Sequence, residues 1–125
     1  MSLLLDAHAL LWWLANDPAL SEEATTAIAD PGSAVLVSAA TAWEISIKQA
    51  LGKLDAPSDL ERQIELNNFE PLSISVGHAY AAGTLQRHHD DPFDRMLVAQ
   101  AMAERLTIVT RDSRIGLYGV PILST

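Results

Sequence analysis

Three short runs, Leu3 to Leu5, "AVLVS" at 34 to 38 and "LTIVT" at 106 to 110, are almost wholly apolar, and the segments between them carry helical patterns. A strand with no polar face belongs in a sheet covered on both sides. Alternation of such strands with helices predicts an α/β chain whose parallel strands are joined by right-handed crossovers. In these sheets ligands bind beyond the carboxyl ends of the strands. That rule directs attention to whatever polar residue follows each run.

The intervening segments fill in the architecture. A helix from about Ala7 stops before Pro18, and Ser21 caps a second one that carries Ala24 and Ile28 and ends near Pro31 and Gly32. Ser38 or Thr41 opens a third, in which Trp43, Ile47, Ala50, Leu51 and Leu54 share the face expected to be apolar, with Gly52 and Pro57 bracketing its end. Ser58 with Glu61 reads as a capping box for a short helix bearing Leu60 and Ile64, and "FEPLSIS" (69 to 75) as a weaker strand. Asp91, Pro92 and Asp94 open a helix with Met96, Leu97, Ala99 and Ala103, and "VPIL" (120 to 123) predicts a last strand. The expected fold is a three-layer α/β/α sandwich around a parallel sheet of four to five strands, formed as one domain over residues 1 to 125.

Composition narrows the chemistry. The absence of cysteine excludes a disulfide framework and a thiolate nucleophile, so any metal is held by oxygen or imidazole. No apolar run approaches the roughly 18 residues needed to cross a bilayer, and the start lacks the flanks of a signal peptide, which fits a soluble, cytoplasmic chain. A formal net charge of −8 argues against a broad basic nucleic-acid surface. It is weaker evidence against an enzyme acting on phosphates, because carboxylates gathered round a divalent cation inflate the same count.

Four acids fall where the strand rule points. Asp6 directly follows the first strand, Asp112 lies two residues beyond "TIVT", Glu44 sits early in the helix after the second strand, and Asp94 in the first turn of the helix feeding the fourth. Converging in low dielectric they repel one another unless cations neutralise them, and Mg²⁺ or Mn²⁺ is the ion such oxygens favour. Each acid also has a local explanation. Asp6 and Asp94 suit helix starts, Glu44 has Lys48 one turn on, and Asp112 suits a turn beside arginines.

"LLLDAHALLWWL", "SAATAWEISIK" and "HHDDPFDRMLVAQAMAERLTIVTRDSRI", in this order and spacing, resemble the PIN-domain family, in particular the VapC-like toxins of bacterial type II toxin–antitoxin systems. Ala7 stands where relatives often carry threonine. The resemblance implies a Mg²⁺- or Mn²⁺-dependent endoribonuclease whose family acids map onto Asp6, Glu44, Asp94 and Asp112. It assigns direct metal contact to Asp6 and Asp94, leaves Glu44 and Asp112 to complete the shell, and implies water as nucleophile, hence 5′-phosphate and 3′-hydroxyl ends. It also implies a small cognate antitoxin with a basic or aromatic tail, and a homodimer. Asp91 takes the capping role.

Other polar residues are weighed lower. His88 and His89 read as a solvated loop, Arg95 and Arg111 as phosphate contacts or partners of the acids, and His8 as a helix residue before a substrate contact. Trp12, Trp13 and Trp43 read as core or interface aromatics. A dehalogenase-type phosphatase needs a second acid where His8 stands. A receiver-type phosphoacceptor needs a late lysine, and the only lysines are Lys48 and Lys53. The remaining alternative is a degenerate PIN-like scaffold that binds RNA or a protein without cutting.

Overall fold

The structure, a computed structural model, describes residues 1–125. In chain order the elements are β1 (Ser2–Leu5), α1 (Ala7–Leu14), α2 (Glu22–Ala29), β2 (Ala34–Ser38), α3 (Ala39–Ala50), α4 (Leu60–Leu66), β3 (Glu70–Leu72), α5 (Val76–Thr84), α6 (Pro92–Glu104), β4 (Thr107–Thr110), α7 (Ser113–Gly116) and β5 (Ile122–Ser124). The strands form one sheet in the order β3-β2-β1-β4-β5, and every neighbouring pair is parallel. No helix is long and apolar enough to cross a membrane.

The central strand explains the leucine run. Leu3, Leu4 and Leu5 are all fully buried, and they divide by the period-two rule of a strand. Leu3 and Leu5 join one apolar cluster with Leu10, Leu11, Ala24, Ile28 and Ile45, while Leu4 joins a second with Leu97, Val98, Ala101, Ile108 and Ile115. The helices α1 to α4 therefore cover one face and α6 and α7 the other, which makes the three layers. Each buried leucine contributes roughly 1.5–3 kcal/mol, so β1 is a rigid mount.

Strand order locates the crevice. From β1 the chain steps outward to β2 and β3, then crosses back to β4 on the other side of β1, so the order reverses between β1 and β4. Leu5 pairs with Val109, and the Asp6 backbone N–H donates to the Val109 carbonyl at 3.2 Å. Asp6 and the residues after Thr110 thus emerge side by side at the topological switch point.

The structure corrects two expectations and adds two helices. The α3 face bearing Trp43, Ile47 and Leu51 lies outward, with Trp43 and Leu51 each 62% exposed. The buried face is Ala40, Thr41, Glu44 and Ile45, because the Ser38 cap fixes the helix rotation and small residues let it approach the sheet. The capping box at Ser58 and Glu61 does not form. Its helix starts at Leu60, one residue late, which places Asp59 at the cap and Arg62 where the box needs an acid. Finally, α5 and α7 stand in segments that show no helical pattern. The first is started by Ser75, whose hydroxyl accepts from the His78 N–H while His78 Nδ1 accepts from the Ser75 N–H.

Candidate active site

Each of the four acids is presented by a different local device. Asp6 ends β1 and caps α1, its carboxylate accepting from the Ala9 N–H at 2.8 Å. Burial pushes its pKa up, opposed by the Ala9 N–H and the Thr110 hydroxyl. Glu44 is drawn inward by α3 packing and is only 8% exposed. Its Oε2 accepts from Lys48 Nζ at 2.6 Å, and that bond raises the lysine pKa.

Asp94 lies in the first turn of α6, but Asp91 does the capping, accepting from the Phe93 and Asp94 N–H groups. The Asp94 side chain is therefore free to face the cleft. Burial, and then the neighbouring Asp91 charge, push its pKa up to about 7. Asp112 caps α7, with its own N–H donated to the Thr110 hydroxyl at 3.0 Å. The Arg114 guanidinium grips both of its carboxylate oxygens, at 3.1 and 3.0 Å, and holds its pKa well below the usual carboxylate range.

These devices bring all four acids to one cleft of about 340 Å³, whose wall also includes His8, Lys48, Asp91 and Arg111. A larger groove of about 700 Å³ runs between α3, α4 and β3, but its only titratable groups are Glu61 and Glu65, which converge on nothing. The four acids predicted from the sequence thus gather in the smaller, acidic cleft.

Several residues differ from the sequence reading. His89 is buried, 6% exposed, with Nε2 2.7 Å from Asp112 Oδ2 and 3.1 Å from Asp94 Oδ2, whereas His88 is exposed beside Tyr118. Arg95 touches neither acid nor cleft. Its guanidinium donates to the carbonyls of Ala82, Leu85, Gln86 and His89, and so ties down the segment between α5 and α6. Arg111 lies over the Trp12 ring, 4.3 Å from its centroid, and His8 packs on the same ring. Trp13 donates its indole N–H to Asn67, and Trp43 meets Phe93 edge-on in the open.

The donor set fits a hard divalent cation. Its donors are carboxylate oxygens, and single polar atoms of Asp94, Asp112 and the neighbouring His89 ring lie within 4.8 Å of one another. Lysine and arginine are already distributed, Lys48 to Glu44 and Arg114 to Asp112. Asp6 and Asp94, the two with raised pKa values, have neither. The cleft thus holds two desolvated carboxylates in want of positive charge.

The model of the PIN domain family matches residues 3–120. Among curated proteins, none matches the sequence. Among solved structures, a chain of VapBC2 from Rickettsia felis bound to a DNA fragment from their promoter is similar with a TM-score of 0.72 at 13% identity, covering 99% of this chain and 98% of that one. A toxin-antitoxin complex from Klebsiella pneumoniae gives 0.64 at 22% identity, over 96% and 94% of the two chains. FitAcB from Neisseria gonorrhoeae gives 0.64 at 18% identity, over 97% and 96%.

Proposed function

This chain belongs to the PIN-domain family, and from that membership we propose that it is a Mg²⁺- or Mn²⁺-dependent endoribonuclease acting as the toxin of a type II toxin–antitoxin pair. The observation that carries the reading is the cleft itself: four carboxylates from distant segments, two of them without a cationic partner. A structural role for so many acids in one place is costly, because each raises the pKa of the next.

A bound divalent cation supplies a lowered pKa for water and neutralisation of charge on the phosphodiester. Asp6 and Asp94 hold that ion directly. Asp6 is fixed by the strand end, the Ala9 N–H and the Thr110 hydroxyl. Asp6 and Asp94 would be joined by Glu44 and Asp112, which would complete the shell, directly or through water, and orient the attacking water. Lys48 pairs with Glu44, and Arg114 holds Asp112 charged and in place. Arg111, braced on Trp12 at the rim, is a free cation for an RNA phosphate. Attack by water leaves 5′-phosphate and 3′-hydroxyl ends.

The similar structures from Klebsiella pneumoniae and Rickettsia felis are of a toxin-antitoxin complex and of VapBC2. By that analogy a small antitoxin covers the acidic mouth of this chain, and a homodimer is the working assembly. Copurification of a small protein encoded beside this one supports the first, and sedimentation as a dimer the second. The deciding experiment incubates the purified protein with cellular RNA and Mg²⁺ or Mn²⁺, beside Asp6→Asn and chelator controls, and sequences the cut ends. Cleavage lost in both controls is expected. Cleavage that survives both removes the metal mechanism, and no cleavage of any RNA leaves a binding scaffold.

A further inference from the structure

We propose that His89 is a positioning residue of the acidic cleft, an imidazole whose Nε2–H is shared by Asp94 and Asp112, and that it is not itself a metal ligand. The inference rests on the metal reading above for its purpose, and on hydrogen-bond geometry for its content. His89 Nδ1 lies 3.0 Å from the Asp91 backbone nitrogen, which can only donate. Nδ1 is therefore the acceptor, and the ring N–H sits on Nε2. There it faces Asp112 Oδ2 at 2.7 Å and Asp94 Oδ2 at 3.1 Å.

Ligation through Nε2 requires the other tautomer. The proton on Nδ1 then points at the Asp91 N–H, two donors meet, and a hydrogen bond is lost beside the residue that caps α6 with contacts of 2.8 and 3.1 Å. Bridging costs nothing of the kind. A shared N–H holds the two carboxyl groups at ligand spacing before the ion arrives, as partners of ligating groups do elsewhere.

The ring is also fixed from behind. The His89 N–H donates to Tyr118 Oη at 3.0 Å, its carbonyl accepts from Arg95 at 3.2 Å, and Tyr118 Oη donates to the Gln86 carbonyl at 2.8 Å. Arg95 and Tyr118 thus act on the cleft through His89, although neither lines it. That gives Arg95 a reason to be arginine, since only a planar fork serves several carbonyls at once.

The test reads the ring first. Nitrogen-15 correlation spectra of the metal-free wild-type protein at pH 7.5 are expected to show the Nε2–H tautomer, retained after saturation with Mg²⁺. The Nδ1–H tautomer, a doubly protonated ring or loss of the Nε2 proton on adding Mg²⁺ overturns the proposal. Titration calorimetry with Mn²⁺ alone then compares His89→Gln, which keeps a donor, with His89→Phe, which does not. The phenylalanine variant is expected to bind about tenfold or more weakly, and the glutamine variant within a few-fold of wild type. Equal affinity in all three proteins, or equal loss in both variants, counts against it. A wild-type protein that binds no Mn²⁺ defeats the metal reading of the cleft and leaves the tautomer to be judged by the spectra.

Discussion

The amino end of α6 and the turn between β4 and α7 each deliver one aspartate to the same imidazole, yet they set those aspartates in opposite directions. Asp94 is raised to about 7 by burial and by the Asp91 charge beside it, while Asp112, gripped by the exposed Arg114 fork, is held low. Two carboxylates on one donor are therefore in different protonation states near neutrality. On the proposed metal reading the lesson is a division of labour: Asp112 is charged before anything binds, and Asp94 would become fully charged when a cation displaces its proton.

Removing each acid in turn tests that division most severely. Asp94→Asn and Asp112→Asn are both expected to lower RNA cleavage by more than about a hundredfold, beyond the 10–100-fold that losing a ligand's partner costs. Their metal-free stabilities should move apart. Asp94→Asn removes an ionisation that burial disfavours and raises the unfolding free energy at pH 7.5 by on the order of 3 kcal/mol. Asp112→Asn breaks the contacts with Arg114 and His89 and lowers it. Urea unfolding in chelator decides the point, and shifts of the same sign in both variants defeat the comparison.

A smaller effect follows from pH. The Asp94 carboxyl titrates near 3.8 when unfolded and near 7 when folded, so its contribution is full below about pH 4 and is lost as pH rises towards 7. Asp6 shifts in the same direction. Asp112, held low, contributes stability that is present above pH 4 and is lost only under stronger acid. The chelated protein is therefore expected to lose stability between pH 4.5 and 7.5, with a shallower slope in Asp94→Asn. If the cleft binds metal as proposed, excess Mn²⁺ should offset that loss at pH 7.5 and raise the melting temperature. A pH-independent stability in chelator contradicts the placement of Asp94.

Most of this cleft was legible because it depends on rules of local reach. Asp6 is fixed by an apolar run that ends, and Asp112 by a strand end plus a turn. Asp91 and Asp94 separate into cap and site because Pro92 marks the first helical position. His89 was not legible for a physical reason. Its sequence neighbour His88 has the same chemistry and faces solvent, and only Tyr118 and Arg95, 29 and 6 residues away, decide which of the two turns inward. The outward face of α3 was misread for a related reason. Trp43, Ile47 and Leu51 have apolar spacing, but Glu44 and Ile45 occupy the inward side, and periodicity alone does not distinguish a core from an exposed stripe.

Arg114 provides the finest test of the contrast between the two aspartates. It is exposed, and its fork accounts first for the lowered pKa of Asp112. Arg114→Gln should move the Asp112 pKa back towards the ordinary carboxylate value of 3.8, which still leaves that acid charged at neutral pH. His89 continues to donate to the same carboxylate. Cleavage at pH 7.5 is therefore expected to fall less than about tenfold, and the melting temperature to stay nearly where it was, since exposed ion pairs contribute little. Carbon-13 titration of the Asp112 carboxyl measures the shift directly. If Arg114→Gln instead matches Asp112→Asn in lost cleavage, the arginine contacts substrate, and the charge of Asp112 is not set chiefly for the sake of the metal.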